Sequence, residues 1–191
     1  AELKEEDYQW LGKSIYKPKI VAVGEIGLDY HWNDNKEQQI KAFERQMDIA
    51  REAELPIIVH SRDAAQDTYE VMKSNHAHEL GGVIHCFSYA KEMAEKFLDM
   101  GFYLGIGGVI TFSNAKKLRE VVEYMPMEQM LIETDCPYLA PVPNRGKRND
   151  SFNLPYVVSK IAEIKGISSD EVIDITNANA KKLYGIGQNR I

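Results

Sequence analysis

The chain has 191 residues, of which 44% are hydrophobic and 27% are charged, as in globular proteins that bury a core of their own. A formal net charge of -6 excludes a protein that attracts nucleic acid through an overall positive charge. Two cysteines are too few for a disulfide framework, and the sequence shows no membrane-spanning run and no signal peptide. We therefore expect a cytoplasmic protein without a membrane partner.

Short apolar runs alternate with amphipathic segments along the chain. The first predicted elements are a helix over 2–11, a strand within 19–30 that ends near Glu25, and a helix over 36–54. The later elements follow the same alternation, with strands at 56–60, 81–88, 102–108 and 130–135 and helices at 63–79, 90–100 and 113–125.

The C-terminal part is predicted to be helical, with Pro155 at a first helical position and a capping box between Ser168 and Glu171. Five strands that alternate with helices predict an α/β fold in which helices cover a parallel sheet. No linker and no internal repeat interrupts this pattern, so we expect residues 1–191 to form a single domain.

Four of the predicted strands end in side chains that can bind a metal or transfer a proton. The first strand ends in Glu25, the second in His60, the third in His85 and the fifth in Asp135. In a (β/α) barrel the active site is built at this carboxyl end of the strands. Two imidazoles and two carboxylates suit a divalent ion such as zinc, manganese or magnesium, which makes a hydroxide nucleophile available near neutral pH.

Each of these residues has a simpler explanation when it is taken alone. A histidine that ends a strand can be a hydrogen-bonded core residue, Glu25 can cap a helix or pair with a cation, and Asp135 can belong to a turn. Four such residues at one topological position favour a shared site instead.

Asp29 is predicted to orient one ligand by hydrogen bonding. His76 and His78, two positions apart on a predicted helix, are expected to point in different directions into solvent.

Two basic features are candidates for binding substrate phosphates. Arg62 lies two residues after His60 and therefore on the same face of an extended chain. Arg145, Lys147 and Arg148 cluster in PNRGKRND, the loop after the last strand, which often binds phosphate in barrels. The alternative for this cluster is a solvated charged loop without a binding role.

Five motifs, VGEIGLDY, IVHSRDA, VIHCFS, LGIGGVITF and IETDCPYLAP, resemble in order and spacing the TatD family of metal-dependent deoxyribonucleases. The resemblance runs from about residue 15 to the end of the chain. It implies a TIM-type (β/α)8 barrel in which Glu25 bridges two divalent metals (Mg, Zn, Mn or Ni). It also implies that His60 and His85 bind one ion, and that Asp135 binds the other and accepts a proton from the nucleophilic water. The expected substrate is DNA.

One feature of that family has no counterpart in this sequence. The family carries a His-x-His pair at the end of its first strand, and no predicted strand here ends in such a pair. A complete barrel of eight units has about 250 residues. We therefore expect this chain to supply about strands 4–8 and their helices, the C-terminal portion of a metal-dependent hydrolase, and the activity to belong to the complete protein.

Two other functions fit the same pattern. The scaffold also supports hydrolases of amides, esters or lactones, because fold and metal site alone do not determine the substrate. A non-catalytic barrel fragment that needs the N-terminal segment is the other alternative. A fragment without the first-strand histidines should bind at most one ion tightly, whereas the complete enzyme holds two.

Overall fold

The computed structural model describes residues 3–31 and 35–187. These residues form an α/β fold of five strands and seven α-helices, joined in part by short 3-10 turns. In chain order the elements are α1 (Glu5–Ser14), β1 (Val23–Asp29), α2 (Lys36–Glu52), β2 (Ile57–Arg62), α3 (Ala65–Ser74), β3 (Gly82–Ile84), α4 (Lys91–Asp99), β4 (Tyr103–Ile106), α5 (Lys116–Tyr124), β5 (Met130–Ile132), α6 (Leu154–Lys165) and α7 (Ser169–Tyr184).

The strands form one sheet in the order β1-β2-β3-β4-β5, which is also their order along the chain. β1 pairs parallel with β2, and β4 pairs parallel with β5. Parallel neighbours need a crossover between them, and the helices that follow the strands provide it. The prediction of an α/β fold with a parallel sheet is confirmed. None of the described helices has the length and apolar character of a membrane-spanning segment.

The chain divides into two compact units. One contains the residues up to Val83 and again those from Lys182 onward, and the other is Ile84–Lys181. In the first unit, Phe43 and Met47 of α2 are fully buried, and α2 packs against β1. In the second unit, Phe97 of α4 and Val121 of α5 are fully buried, and these two helices contact each other. Each unit therefore buries apolar side chains of its own.

Several predicted elements have different bounds in the structure. β3 and β5 each have three residues and end before the polar residues that are predicted to end them. These residues, His85 and Asp135, therefore follow the strands in the chain. The predicted helix over 63–79 stops at Ser74, where His76 adopts a left-handed conformation (φ 52°) before a 3-10 turn. This turn brings the side chains of His76 and His78 together, so the expectation that they point in different directions is wrong.

The start of α7 is predicted correctly. The backbone N–H of Ser168 donates to Glu171 Oε2 over 3.0 Å, and the backbone N–H of Glu171 donates to Ser168 Oγ over 3.1 Å. This reciprocal pair is the expected capping box. The hydrogen bond from the backbone N–H of Ser168 lowers the pKa of the Glu171 carboxyl.

The start of α6 differs slightly from the prediction, because Pro155 is the second residue of this helix and not the first.

Asn179 ties α7 to the start of β5. Its side-chain amide is buried and donates to the carbonyl oxygens of Met127 and Met130 over 2.7 and 2.8 Å. Met127 begins the short turn that leads into β5, and Met130 is the first residue of that strand. The helix therefore satisfies two carbonyl groups that precede Glu133 and Asp135.

An Asn179→Ala variant should lose about 1–3 kcal/mol of unfolding free energy, because it removes the two hydrogen bonds from the buried amide to the carbonyl oxygens of Met127 and Met130. Urea denaturation followed by circular dichroism measures the loss. Asn177→Ala is the matched control, since Asn177 lies on the same helix but is exposed. Its effect should stay within about 0.5 kcal/mol. Equal midpoints for the two variants would contradict the role assigned to Asn179.

Candidate functional site

Glu25 lies inside β1 rather than at its end, which corrects the predicted position. The pairing of β1 with β2 shifts register between Val23 and Ile26, so Glu25 stands at an irregularity of the strand pair. Its Oε2 lies 3.7 Å from Nδ1 of His60, and its side chain is 50% exposed. Gly27 has a φ of 138°, and a Cβ there would collide with the carbonyl oxygen of His60. The glycine therefore permits the close approach of β1 to the backbone of His60.

His60 is the fourth residue of β2, two residues before the strand ends, and its ring lies between two carboxylates. Nε2 is 3.2 Å from Oδ2 of Asp29, and Nδ1 faces Glu25. In the tautomer that carries its proton on Nε2, this N–H donates to the carboxylate of Asp29. The lone pair of Nδ1 is then directed toward Glu25. Asp29 therefore lies within hydrogen-bond distance of the His60 ring, and its role in orienting a ligand stays a prediction.

The backbone of Asp29 is held by Gln39 of α2. The N–H of Asp29 donates to Gln39 Oε1 over 2.7 Å, and Gln39 Nε2 donates to the carbonyl oxygen of Asp29 over 2.8 Å. The N–H of His31 donates to Asp29 Oδ1 over 3.0 Å. Nδ1 of the His31 ring lies 3.5 Å from the carboxylate of Asp63. No spacing pattern points to Gln39, because its partner Asp29 lies ten residues away on another element.

Tyr30 follows Asp29 directly and donates from its hydroxyl to Asp67 Oδ2 over 2.9 Å. Burial, together with this hydrogen bond, raises the pKa of Tyr30 to about 12. The phenol therefore stays protonated near neutral pH and acts as a hydrogen-bond donor, not as a base.

A cleft of about 810 Å³ adjoins Glu25 and Asp29 in the first unit. Side chains of α1, β1 and α2 line it, among them Tyr8, Gln39 and Arg45. The Arg45 guanidinium pairs with Glu5 over 2.5 Å and lies 4.1 Å from the centroid of the Tyr8 ring. The carboxylates of Glu25 and Asp29 are thus accessible from a polar cleft, as the binding of an ion or a substrate requires.

In the second unit, His85 follows β3 directly and is also placed between two carboxylates. Its Nδ1 lies 2.7 Å from Glu133 Oε2, and its Nε2 lies 3.4 Å from Asp135 Oδ1. The His85 side chain is only 10% exposed, and these two contacts help to orient its ring. With the N–H of Nδ1 donated to Glu133, the lone pair of Nε2 is directed toward Asp135.

Glu133 is a site residue that the sequence reasoning missed. It follows β5 directly, and its other carboxylate oxygen accepts the backbone N–H of Cys86. A Cβ at Gly105 of β4 would lie 2.5 Å from the Glu133 carboxylate, so the absence of a side chain at position 105 makes the room for it. A signal existed in the motif IETD, since residues two apart on an extended chain share one face.

The donor atoms in both units fit divalent metal ligation. Two ligand atoms of one tetrahedral zinc ion, bound at about 2.0–2.1 Å, lie about 3.4 Å apart. The distance from His85 Nε2 to Asp135 Oδ1 is 3.4 Å, and that from His60 Nδ1 to Glu25 Oε2 is 3.7 Å. Each unit therefore presents one imidazole nitrogen and one carboxylate oxygen at a spacing suited to one ion. Zinc, manganese and nickel accept this mixed nitrogen and oxygen set.

The predicted phosphate-binding residues are exposed. Arg62 is the last residue of β2, and Lys147 and Arg148 lie on the surface of the loop that follows β5. Arg145 also lies in this loop, and its guanidinium carbon is 4.2 Å from the centroid of the Phe112 ring. Stacking on an aromatic ring restricts Arg145 while leaving its N–H groups free to bind an anion.

Buried asparagines hold this basic loop in shape. Asn149 is 2% exposed, and its side-chain amide donates to the carbonyl oxygen of Tyr138 over 2.8 Å. Asn153 donates to Asn149 Oδ1 over 2.9 Å and accepts from Asn144 over 2.8 Å. The loop is thus fixed at both ends of the basic cluster. Sequence reasoning identified the charges but not these amides.

The chain is similar to several known proteins. The chain is 45% identical over 186 residues to YabD of Bacillus subtilis (strain 168), which is described as an uncharacterized metal-dependent hydrolase; the match covers 97% of this chain and 73% of that protein. It is 35% identical over 179 residues to the 3'-5' ssDNA/RNA exonuclease TatD of Rahnella sp. (strain Y9602), covering 91% of this chain and 68% of that enzyme.

The structure also resembles the crystal structure of YJJV, a TatD homologue from Escherichia coli K12. The TM-score is 0.91 at 29% sequence identity, and the match covers 96% of this chain and 72% of YJJV. The family profile described as TatD related DNase matches residues 1–185. The chain therefore belongs to the TatD related DNase family of metal-dependent hydrolases.

Proposed function

We propose that this metal-dependent hydrolase cleaves phosphodiester bonds of DNA. The observation that carries the proposal is the placement of His60 and His85, each between two carboxylates in its own unit. The net charge of the chain is negative, so a polyanionic substrate needs a local cluster of positive charges to bind. The exposed basic loop after β5 is such a cluster and therefore supports a substrate of this class. One relative is named as an exonuclease of single-stranded DNA and RNA, which supports a nucleic acid as the substrate class.

The metal ligands in this proposal are Glu25 and His60 in the first unit and His85 and Asp135 in the second. We propose two divalent ions (Mg, Zn, Mn or Ni) in the complete protein. When bound, such an ion would lower the pKa of its water and supply positive charge that stabilises the phosphate oxygens. Asp29 and Glu133 do not ligate. They accept the N–H of His60 and of His85 and so select the nitrogen that remains free for ligation.

The remaining residues bind the substrate and move the proton. Asp135 is 36% exposed, so its carboxylate can accept a proton from the attacking water. Arg62, Arg145, Lys147 and Arg148 hold flanking phosphates of the DNA by charge-assisted hydrogen bonds. We further propose that β1–β5 correspond to strands four to eight of a (β/α)8 barrel, since consecutive strands of one parallel sheet are what such a barrel would contribute.

Asp135→Asn and Glu25→Gln should each lower the rate of DNA hydrolysis by about 100-fold or more, because each removes a carboxylate from a ligand or base position. Turnover of single-stranded DNA with added Mg²⁺ or Mn²⁺ measures the rate, beside phosphodiester model compounds and cyclic amides. Asp99→Asn is the control, since Asp99 is exposed at the end of α4. Undiminished DNA hydrolysis by either variant, or hydrolysis of cyclic amides alone by the wild type, would refute the proposal.

Glu133→Gln should weaken metal binding about 10-fold to 100-fold, because the ligand His85 loses its charged acceptor. Gly105→Ala should have a similar effect, since its new methyl group would displace the Glu133 carboxylate. Gly107→Ala is the matched control, as a Cβ there meets the nearest Glu133 atom at an ordinary 3.6 Å. Isothermal titration with Mn²⁺ measures the affinities. If Gly105→Ala binds Mn²⁺ as tightly as Gly107→Ala, Glu133 does not position His85.

Removing two cations from the basic loop, in the variant Lys147→Ala with Arg148→Ala, should raise the KM for single-stranded DNA and leave kcat nearly unchanged. The salt dependence of log KM should fall by about 0.7 for each lost phosphate contact. Steady-state kinetics at several salt concentrations provide both values. Lys116→Ala removes an 86% exposed lysine of α5 and serves as the control for lost charge alone. Equal salt slopes for the two variants would show that the loop does not contact DNA.

A further inference from the structure

We propose that His76, His78 and Glu79 form a second binding site, on the surface of the first unit, for a divalent transition metal such as Zn²⁺. One potential ligand atom from each of the three side chains lies within 4.8 Å of the other two. All three residues are exposed, so an ion can reach them without any rearrangement of the core. This inference does not depend on the proposed function.

The backbone turn after α3 brings the three side chains together. His76 has a left-handed φ of 52°, and the 3-10 turn Ala77–Glu79 follows it. The N–H of His76 donates to the carbonyl oxygen of Lys73 over 3.2 Å, and the N–H of Glu79 donates to that of His76 over 3.1 Å. The two imidazole rings consequently lie edge to face, with centroids 6.0 Å apart and planes at 69°. In a continuous α-helix, residues two apart would not face each other.

The turn is anchored to the rest of the unit. Ala77, between the two histidines, is fully buried. The side chain of Asn75 donates to the carbonyl oxygen of Val71 over 2.9 Å, and Arg51 of α2 donates to the carbonyl oxygen of Asn75 over 2.5 Å. An ion therefore has to order only three side chains on a backbone that is already in place. Such preorganisation lowers the entropic cost of binding.

The ligand set determines the class of ion. Two imidazoles and one carboxylate suit Zn²⁺, Ni²⁺ or Cu²⁺, whereas Mg²⁺ and Ca²⁺ prefer sets made of oxygen alone. Two ligands of one ion with bond lengths of about 2.0–2.2 Å lie about 3.4 Å apart. The three donor atoms lie within 4.8 Å of one another, and rotation of the exposed side chains can bring them to this spacing. Glu79 supplies the negative charge that partly neutralises the ion. A fourth position stays open for water.

This site is separate from the proposed ligands of the first unit. The carbonyl oxygen of Gly81, two residues after Glu79, accepts the N–H of Ile57, the first residue of β2. His60 lies three residues further along β2, toward its other end. An ion held by the His76 cluster is therefore additional to one held by Glu25 and His60. A count of bound metal ions on this protein would include it.

Zinc titration of the wild type and of His76→Ala with His78→Ala tests the proposal. Isothermal titration should show one Zn²⁺ equivalent fewer in the double variant. Glu79→Gln should weaken that equivalent about tenfold, a loss of about 1.4 kcal/mol. Glu52→Gln, which neutralises an exposed carboxylate at the end of α2, should leave it unchanged. Equal numbers of Zn²⁺ ions with equal affinities in the wild type and the double variant would overturn the proposal.

A second measurement on the wild type needs no variant. In two-dimensional amide NMR spectra, Zn²⁺ should shift the resonances of residues 75–80, while Mg²⁺ at the same concentration should leave them in place. Zinc-induced shifts that avoid these residues would overturn the proposal, even if the double variant failed to fold. Shifts at 75–80 with Mg²⁺ as well would contradict the assignment to a transition metal.

Discussion

The candidate chemistry depends on one kind of interaction, a carboxylate that accepts an N–H from an imidazole and leaves the other ring nitrogen free. Glu133 makes this contact to His85 over 2.7 Å, and Asp29 makes it to His60 over 3.2 Å. A histidine without such a partner can rotate and exchange its proton between both nitrogens. With the partner, its lone pair has one direction. The same arrangement occurs in each of the two units, and in each unit a second carboxylate lies on the free side of the ring.

Much of this could be predicted from local sequence. Apolar runs that alternate with amphipathic segments predicted the parallel α/β sheet. The residues near the strand ends identified His60 and His85 as candidates, and the structure places each of these rings between two carboxylates. Glu25 and His60 are predicted at strand ends, although both lie within their strands in the structure. At Glu25 the register of β1 is irregular, and this irregularity depends on the pairing of β1 with β2. Periodicity describes one element at a time and cannot reveal how two neighbouring strands align.

The residues that escaped prediction share a physical reason. Glu133, Gln39 and Asn149 act through hydrogen bonds to residues that are distant in sequence or to backbone groups. No spacing rule identifies such partners, since they are chosen by three-dimensional proximity and by the need to satisfy buried polar groups. The turn at His76 belongs to the same class. His76, a single left-handed residue, follows the end of the helix and brings its own side chain and that of His78 together, whereas the helical pattern predicts that they point apart.

Gly105 extends the importance of Glu133 to β4, a strand that contributes none of the proposed ligands. The space under the Glu133 carboxylate is the space that a side chain at position 105 would occupy. The two positions therefore form one packing unit, in which a larger residue on β4 is compatible only with a shorter acid after β5. Sequence drift at these positions should be coupled, because a glycine in the middle of a buried strand leaves room for the carboxylate that contacts the His85 ring.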